Sequence, residues 1–312
     1  QDLVRSIACE AQLFVENFKP GGLAKYGLDY ERLSDLNPAL VYCSISGFGQ
    51  TGPNRAKPGY DLMAQGFGGM MSLTGEPDGA PMKVGVGIAD IMCGMYATVG
   101  MLAALRHAEA TQQGQHIDLA LVDSQMAWLV NEGTNLLTSG TSPQRRGNGH
   151  PNIVPYGVFE TNDGHFILAV GNDTQFRALC EALGRSDLLE DPDFATNPLR
   201  LANRGRLNPD ISETFKALSS HEILTKLQSA GVPCGPIHTV EDALNSDQAQ
   251  ERGAVVSVFA PKTTKGEMDL LGNPLKFSKT PVRYTKAPPR FGENTQDLSE
   301  ILQRHRQSRS SL

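Results

Sequence analysis

Cysteine is sparse and scattered in these 312 residues: Cys9, Cys43, Cys93, Cys180 and Cys234 form no C-x-x-C pair. An odd number at such spacing excludes a disulfide framework and a cysteine zinc site, and predicts reduced thiols in or near a core. Runs of like charge are also missing. The 28 Lys+Arg are interspersed with 34 Asp+Glu, for a net charge of −6, so no stretch is built to track a phosphate backbone and nucleic acid is not an expected partner. The longest apolar run, residues 88–105, is broken by Asp90, two glycines and Thr98. It reads as a buried helix rather than a membrane span of ~20 apolar residues. The first residues, with Asp2, Arg5 and Glu10, have neither the basic nor the apolar region of a signal peptide, which gives the expectation of an intracellular protein. Four chemical motifs are absent: the G-x-x-x-x-G-K-[ST] phosphate loop, H-E-x-x-H, paired Cys/His metal spacing, and the G-x-S-x-G nucleophile elbow.

What is present is enough chain for one large or two ordinary domains, 39% hydrophobic and 20% charged, with 32 Gly and 19 Pro. Helix is expected from Leu3, running into a strand at residues 13–15 and stopping at Lys19-Pro20-Gly21-Gly22. Residues 40–45 have the continuous apolar and β-branched character of a buried parallel strand. A glycine-rich loop follows, then helix or loop over 61–74, a long helix over 91–110, a strand over 116–122 and a helix over 124–137. Alternating strands and helices predict an open α/β sheet. A polar connector, RRGNGHPNIVPY, marks a domain boundary, after which the pattern becomes a hairpin (158–161 and 165–170) followed by helices. One of these helices carries a Ser219/Glu222 capping box. A capped helix at 239–244 and a strand at 255–259 come later.

The chemistry concentrates on Asp90. GVGIAD (residues 85–90) is nearly the G-x-G-x-x-G of dinucleotide folds, but its sixth position is Asp, which would set a negative charge against a pyrophosphate. Between a glycine loop and a very apolar helix, Asp90 can be read as an N-cap. The same placement suits a nucleophilic carboxylate, with helix-end N–H groups available to hold an oxyanion. Spacing alone leaves both readings open and favours the cap.

Extended strings shift that balance. ENFKPGGLAKYGLDYERLSDLNPALVYCSISGFGQTGPNRAKPGYDLMAQGFGGMMSLTG, GIADIMCGMYATVGMLAAL, GQHIDLALVDSQ, HPNIVPYGVFETNDGHFILAVGND and GVPCGPI together resemble the class III CoA-transferase family, the group of formyl-CoA transferase, carnitine CoA-transferase and α-methylacyl-CoA racemase. The resemblance covers nearly all of the chain. It implies a Rossmann-like large domain with a smaller α+β domain in an interlocked homodimer. The large domain would comprise residues 1–145, the small one 146–230, with 231–312 returning to the large domain. It also implies several dozen family residues before the point matching Gln1, so that the N-terminal part of the fold is expected to be missing.

In that family the Asp of G-x-x-D-x-x-x-G-M is the nucleophile, and Asp90 with Gly94-Met95 matches it. The resemblance implies CoA contacts at Asn17, Phe18, Lys25, Tyr26, Lys57 and Tyr60, and substrate contacts at Gly47, His150, Asn172 and Asp173. Coenzyme A enters as a thioester substrate, and no permanently bound cofactor, metal or membrane contact is expected. The expected activity moves CoA from an acyl-CoA such as succinyl-CoA to a carboxylic acid, here a dicarboxylate such as glutarate, in the cytoplasm or mitochondrial matrix. Two alternatives are a racemase-type isomerase and a non-catalytic CoA-binding remnant. The racemase branch uses a His where Tyr60 stands and a Glu where Asp173 stands. A phenol, with an ordinary pKa of about 10, is a poor α-proton base near neutrality.

Overall fold

The computed structural model describes residues 1–261, 263–295 and 300. The chain forms two units, the first over Gln1–Gly147 and the second over Asn148–Asn294.

In the first unit α1 (Asp2–Ala8) leads to β1 (Leu13–Glu16), then α2 (Tyr30–Leu36), β2 (Val41–Ser46), α3 (Asp61–Phe67), α4 (Ile88–Thr111), β3 (His116–Ala120), α5 (Leu121–Ala127) and α6 (Val130–Ser139). The three strands form a parallel sheet in the order β1-β2-β3, with Leu13 opposite Val41 and Tyr42 opposite His116. β2 is central and covered on both faces, which is why its sequence is apolar without alternation. On one face Val41 and Ile45 join the clusters built on the small residues of α4. On the other, Tyr42 stacks on Phe14 at 4.9 Å between centroids and donates its hydroxyl to the Leu28 carbonyl. Ser44 on that face hydrogen-bonds His116 Nε2 at 2.9 Å, and Tyr30 stacks on the His116 ring.

α4 explains its own composition. Ala89, Cys93, Ala97, Ala104 and Ala108 recur at helical spacing and are buried, so the helix approaches its neighbours closely. The expectation of a buried helix holds for that face alone: Ile91, Met95, Val99 and Leu102, on the opposite stripe, are each more than half exposed. Among the described residues α4 is the one helix long and apolar enough to cross a membrane, a test that the core helix of a packed domain also passes. Its alanine stripe packs against β2, β3, α3 and α5. The helix expected over 124–137 is two helices instead, broken at Trp128-Leu129, and α5 begins where the strand was expected to continue.

In the second unit β4 (Tyr156–Glu160) and β5 (His165–Ala169) form the expected hairpin. Next come α7 (Asp173–Leu183), α8 (Ser186–Glu190), α9 (Asn197–Ala202), α10 (Arg204–Lys216) and α11 (Ser220–Ser229), then β6 (Cys234–Pro236), which pairs antiparallel with β5. α12 (Val240–Asn245), α13 (Asp247–Glu251) and the hairpin of β7 (Val255–Phe259) and β8 (Glu267–Leu271) follow. The core is aromatic at its centre, with Phe159 and Phe166 both set edge-on to Phe215 at 5.2 and 5.0 Å. Ser219 and Glu222 make the full capping box on α11, and Thr239 with Asp242 makes a second on α12. Within the segment expected to return to the first domain from residue 231, residues up to Asn294 are grouped with the second unit and Thr295 with the first. The segment's first strand, β6, supplies the third strand of the hairpin's sheet, a pairing that short-range patterning does not reveal. Residues 262, 296–299 and 301–312 of that expected segment lie outside the described residues.

The five cysteines are free thiols, with Cys43, Cys93 and Cys180 buried. Burial pushes the Cys43 thiol up to about 11 and that of Cys180 to about 12, so both stay protonated near neutrality.

Candidate active site

The site begins with a backbone crossing. Gly47, just past β2, lies against Gly59. A Cβ built on Gly47 would stand 2.3 Å from the Gly59 Cα, and one built on Gly59 would stand 2.1 Å from the Gly47 Cα. Only two glycines let the chains pass this closely. The crossing delivers Tyr60 and Asp61 to the start of α3, beside the glycine loop that precedes α4.

Asp90 is not the N-cap of α4. Gly87 holds that position, and Asp90 is the third helical residue, with its side chain exposed. The cap reading fails because another carboxylate does the work. Asp61 Oδ1 accepts from the Ala89 N–H at 2.8 Å and from the Asp90 N–H at 3.4 Å. The other Asp61 oxygen accepts from Gln65 Nε2 at 2.7 Å. Gln65 is fully buried, and its own carbonyl oxygen accepts from the Val84 N–H at 2.9 Å, which ties the loop to α3. Ile88 N–H donates to the Val86 carbonyl, and Ile91 N–H makes the first i→i−4 bond of the helix, to Gly87. The amides of Ile88, Ala89 and Asp90 at this helix end are therefore engaged within the protein.

Asp90 is left as an uncapped carboxylate at a helix N-terminus. Partial desolvation, first, and the negative charge of Asp61, second, hold its carboxyl above the usual range. A carboxylate raised in this way is more basic than a free one, and the more basic oxygen is the better nucleophile toward an activated carbonyl. One turn on, Cys93 is buried, and its thiol is pushed up by desolvation.

Of the expected CoA contacts, Asn17 is tied to the C-terminal end of β2, its Nδ2 donating to the Ile45 carbonyl at 2.8 Å, while Phe18 is 60% exposed. Lys25 Nζ sits 4.8 Å from the centroid of the Tyr26 ring. The turn that carries them is held by two arginines, Arg5 donating to the Tyr26 carbonyl and Arg32 to that of Ala24. Lys25, Tyr26, Arg5 and Arg32 line one open cavity of about 490 Å³. Lys57 is exposed, its N–H bonded to the Asn54 carbonyl, and Tyr60 is 72% exposed immediately before Asp61. Thus Gly47, Tyr60 and Asp90 are brought together through Gly59 and Asp61, whereas Phe18, Lys25, Tyr26 and Lys57 are presented to solvent.

His150, Asn172 and Asp173 belong to the second unit. His150 Nδ1 accepts from the Asn152 N–H, and the ring lies 5.1 Å from that of Tyr156. Asn172 is the N-cap of α7, accepting from the Gln175 N–H. Asp173 Oδ1 accepts from the Asn197 N–H and pairs at 2.7 Å with Arg200, a completely buried guanidinium that also donates to the Val154 and Phe194 carbonyls. Each of these residues has a local structural partner. Among the described residues no group of three or more His, Cys, Asp or Glu side chains is placed to hold a metal ion.

Sequence reasoning missed Asp61, Gln65 and Arg200. An Asp at a helix start with Gln four residues on was the available signal for the first pair. Nothing local marks Arg200 as buried.

The family model for CoA-transferase family III matches residues 1–295, and the chain belongs to that family. It is 47% identical over 300 residues to the succinate–glutarate CoA-transferase of Agrobacterium fabrum, covering 96% of this chain and 74% of that one. Against the succinyl-CoA:glutarate CoA-transferase of Mus musculus it is 35% identical over 301 residues, covering 96% and 69%. The crystal structure of a CAIB/BAIF family protein from Brucella suis superposes with a TM-score of 0.84 at 44% identity, over 96% of this chain and 78% of that one.

Proposed function

We propose that this enzyme moves coenzyme A from succinyl-CoA to a dicarboxylic acid such as glutarate, with Asp90 as the nucleophile. The observation that carries the reading is the state of Asp90: exposed, uncapped, raised in pKa and fixed at a helix start, in a chain 47% identical to a succinate–glutarate CoA-transferase.

The steps balance without an added proton or metal. An Asp90 carboxylate oxygen attacks the thioester carbonyl, the C–S bond breaks with its electron pair on sulfur, and CoA thiolate leaves behind a mixed anhydride. The thiolate attacks the Asp90 carbonyl carbon, which releases the donor as a free carboxylate and forms an aspartyl-CoA thioester. The acceptor carboxylate then displaces the thiolate from that thioester to make a second anhydride. Attack of the thiolate on the acceptor carbonyl yields the new acyl-CoA and regenerates Asp90. Splitting the exchange into steps at one carboxylate keeps each leaving group good. Exclusion of water protects the anhydrides.

In this reading Asn17, Phe18, Lys25, Tyr26, Lys57 and Tyr60 receive the CoA, with the ammonium of Lys25 and the cavity it shares with Arg5 and Arg32 facing its phosphates. Gly47, which sets the crossing beside Asp61, is read as lining the acyl end. The apolar stripe of Ile91, Met95, Val99 and Leu102 supports a homodimer in which a second copy covers α4.

The test is incubation with succinyl-CoA and isotopically labelled carboxylates, glutarate included, followed by mass spectrometry. Labelled acyl-CoA formed by the native enzyme and absent with Asp90→Ala is expected. Full transfer by folded Asp90→Ala would refute the reading, and loss of α-deuterium from a 2-methylacyl-CoA without transfer would replace it with the isomerase.

A further inference from the structure

The reaction as written needs a carboxylate at the start of α4 that is not drawn into capping that helix. An Asp in the first turn is ordinarily attracted to the free amides of its own helix end, which satisfies them but ties up its lone pairs. Here those amides are occupied from outside. Asp61, on α3, takes the N–H groups of Ala89 and Asp90, and Gln65, one turn further along α3, holds the second Asp61 oxygen while its own carbonyl holds Val84. Gln65 is fully buried with both ends of its amide engaged, so it has no competing solvent partner. α3 thus grips both the loop that precedes α4 and the first helical amides up to that of Asp90 itself.

We propose that Asp61, locked by Gln65, is a positioning residue for the transfer reaction: it caps α4 in place of Asp90 and so leaves the Asp90 carboxylate free and aimed. This rests on the reading of Asp90 as nucleophile and extends it to a residue that touches no substrate. The same arrangement sets the charge around Asp90. Of the elements packed on α4, α3 brings Asp61, and β2 and α5 bring Cys43 and Ser124 to Cys93 rather than to Asp90. β3 brings apolar Ile117 and Leu119. Asp61 is therefore the charged neighbour whose removal lowers the Asp90 pKa.

The experiment compares Asp61→Ala, Asp61→Asn and Asp90→Ala in succinyl-CoA-dependent transfer across pH, with circular dichroism to confirm folding. Asp61→Ala frees the helix amides to recruit Asp90, and a displacement of about 1 Å at the nucleophile lowers kcat by on the order of 100-fold. KM for acyl-CoA is expected to stay within about twofold, because no CoA contact is removed. Asp61→Asn keeps an oxygen to accept the two amides but not the charge. It is expected to recover kcat to within about tenfold of the native enzyme and to move the acid limb of the kcat/KM profile to lower pH. Substrate carboxylates titrate identically in every variant and cancel in the comparison.

Native kcat and an unmoved acid limb in both Asp61 variants, with Asp90→Ala inactive, would overturn the positioning role while leaving the Asp90 reading intact. Transfer retained by Asp90→Ala would overturn both. Where Asp61→Ala does not fold, Gln65→Met, which keeps the buried volume but releases the second Asp61 oxygen and the Val84 N–H, takes its place: native kcat in that variant refutes the proposal.

Discussion

Replacing Gly47 with alanine puts one methyl group into the tightest crossing of the first unit. The new Cβ would meet the Gly59 Cα at 2.3 Å, where carbon atoms rest at about 3.5–4.0 Å. A shortfall of more than about 1 Å cannot be relieved by a rotamer, because the obstacle is backbone. The strands of the crossing must separate, at a cost of about 1–3 kcal/mol. For a unit of this size that lowers Tm by roughly 2–4 °C per kcal/mol. The displaced segment continues directly into Tyr60 and Asp61, so transfer activity is expected to fall more steeply than stability, by about 100-fold for an ångström of movement. Differential scanning calorimetry and the labelled-glutarate assay on Gly47→Ala, with Gly59→Ala as the reciprocal variant, measure both effects. A Gly47→Ala protein with native Tm and native kcat would show that the crossing is loose and the reasoning wrong.

Gly205 lies in the first turn of α10, and a Cβ added there would meet nothing within 4 Å, so Gly205→Ala should raise stability by about 0.5–1 kcal/mol in a thermal melt. Asp90 has a folded-state pKa above its unfolded one, so its ionisation opposes folding as pH rises through that value. Asp90→Asn is therefore expected to melt higher than the native protein at neutral pH, and this advantage should vanish as pH falls below the raised pKa; an advantage that instead grows on acidification would contradict the assignment. Arg200→Ala leaves the Val154 and Phe194 carbonyls without their donors and Asp173 without its partner, and should cost about 3–5 kcal/mol in denaturant unfolding.

Periodicity and punctuation carried the fold class. Residues 41–46 read as a buried parallel strand because a sheet covered on both faces leaves no polar alternation, and the hairpin at 156–169 was visible because its Asn162-Asp163-Gly164 turn is a local signal. The capping box at Ser219 was legible for the same reason: both partners lie within one helical turn. Extended strings across nearly all of the chain, the stretch around Asp90 among them, pointed to the family from sequence alone, and the family model bears that out over residues 1–295. What sequence could not decide is which carboxylate caps α4. Asp61 and Asp90 lie 29 positions apart, and their roles depend on a crossing of Gly47 and Gly59 that no short-range pattern encodes. The burial of Arg200, the joining of β6 to β5 and the exposed half of α4 have the same origin. Local sequence specifies turns, caps and periods through neighbours a few residues away, whereas the partner that satisfies an orphan amide or covers a helix face is chosen only when distant segments pack.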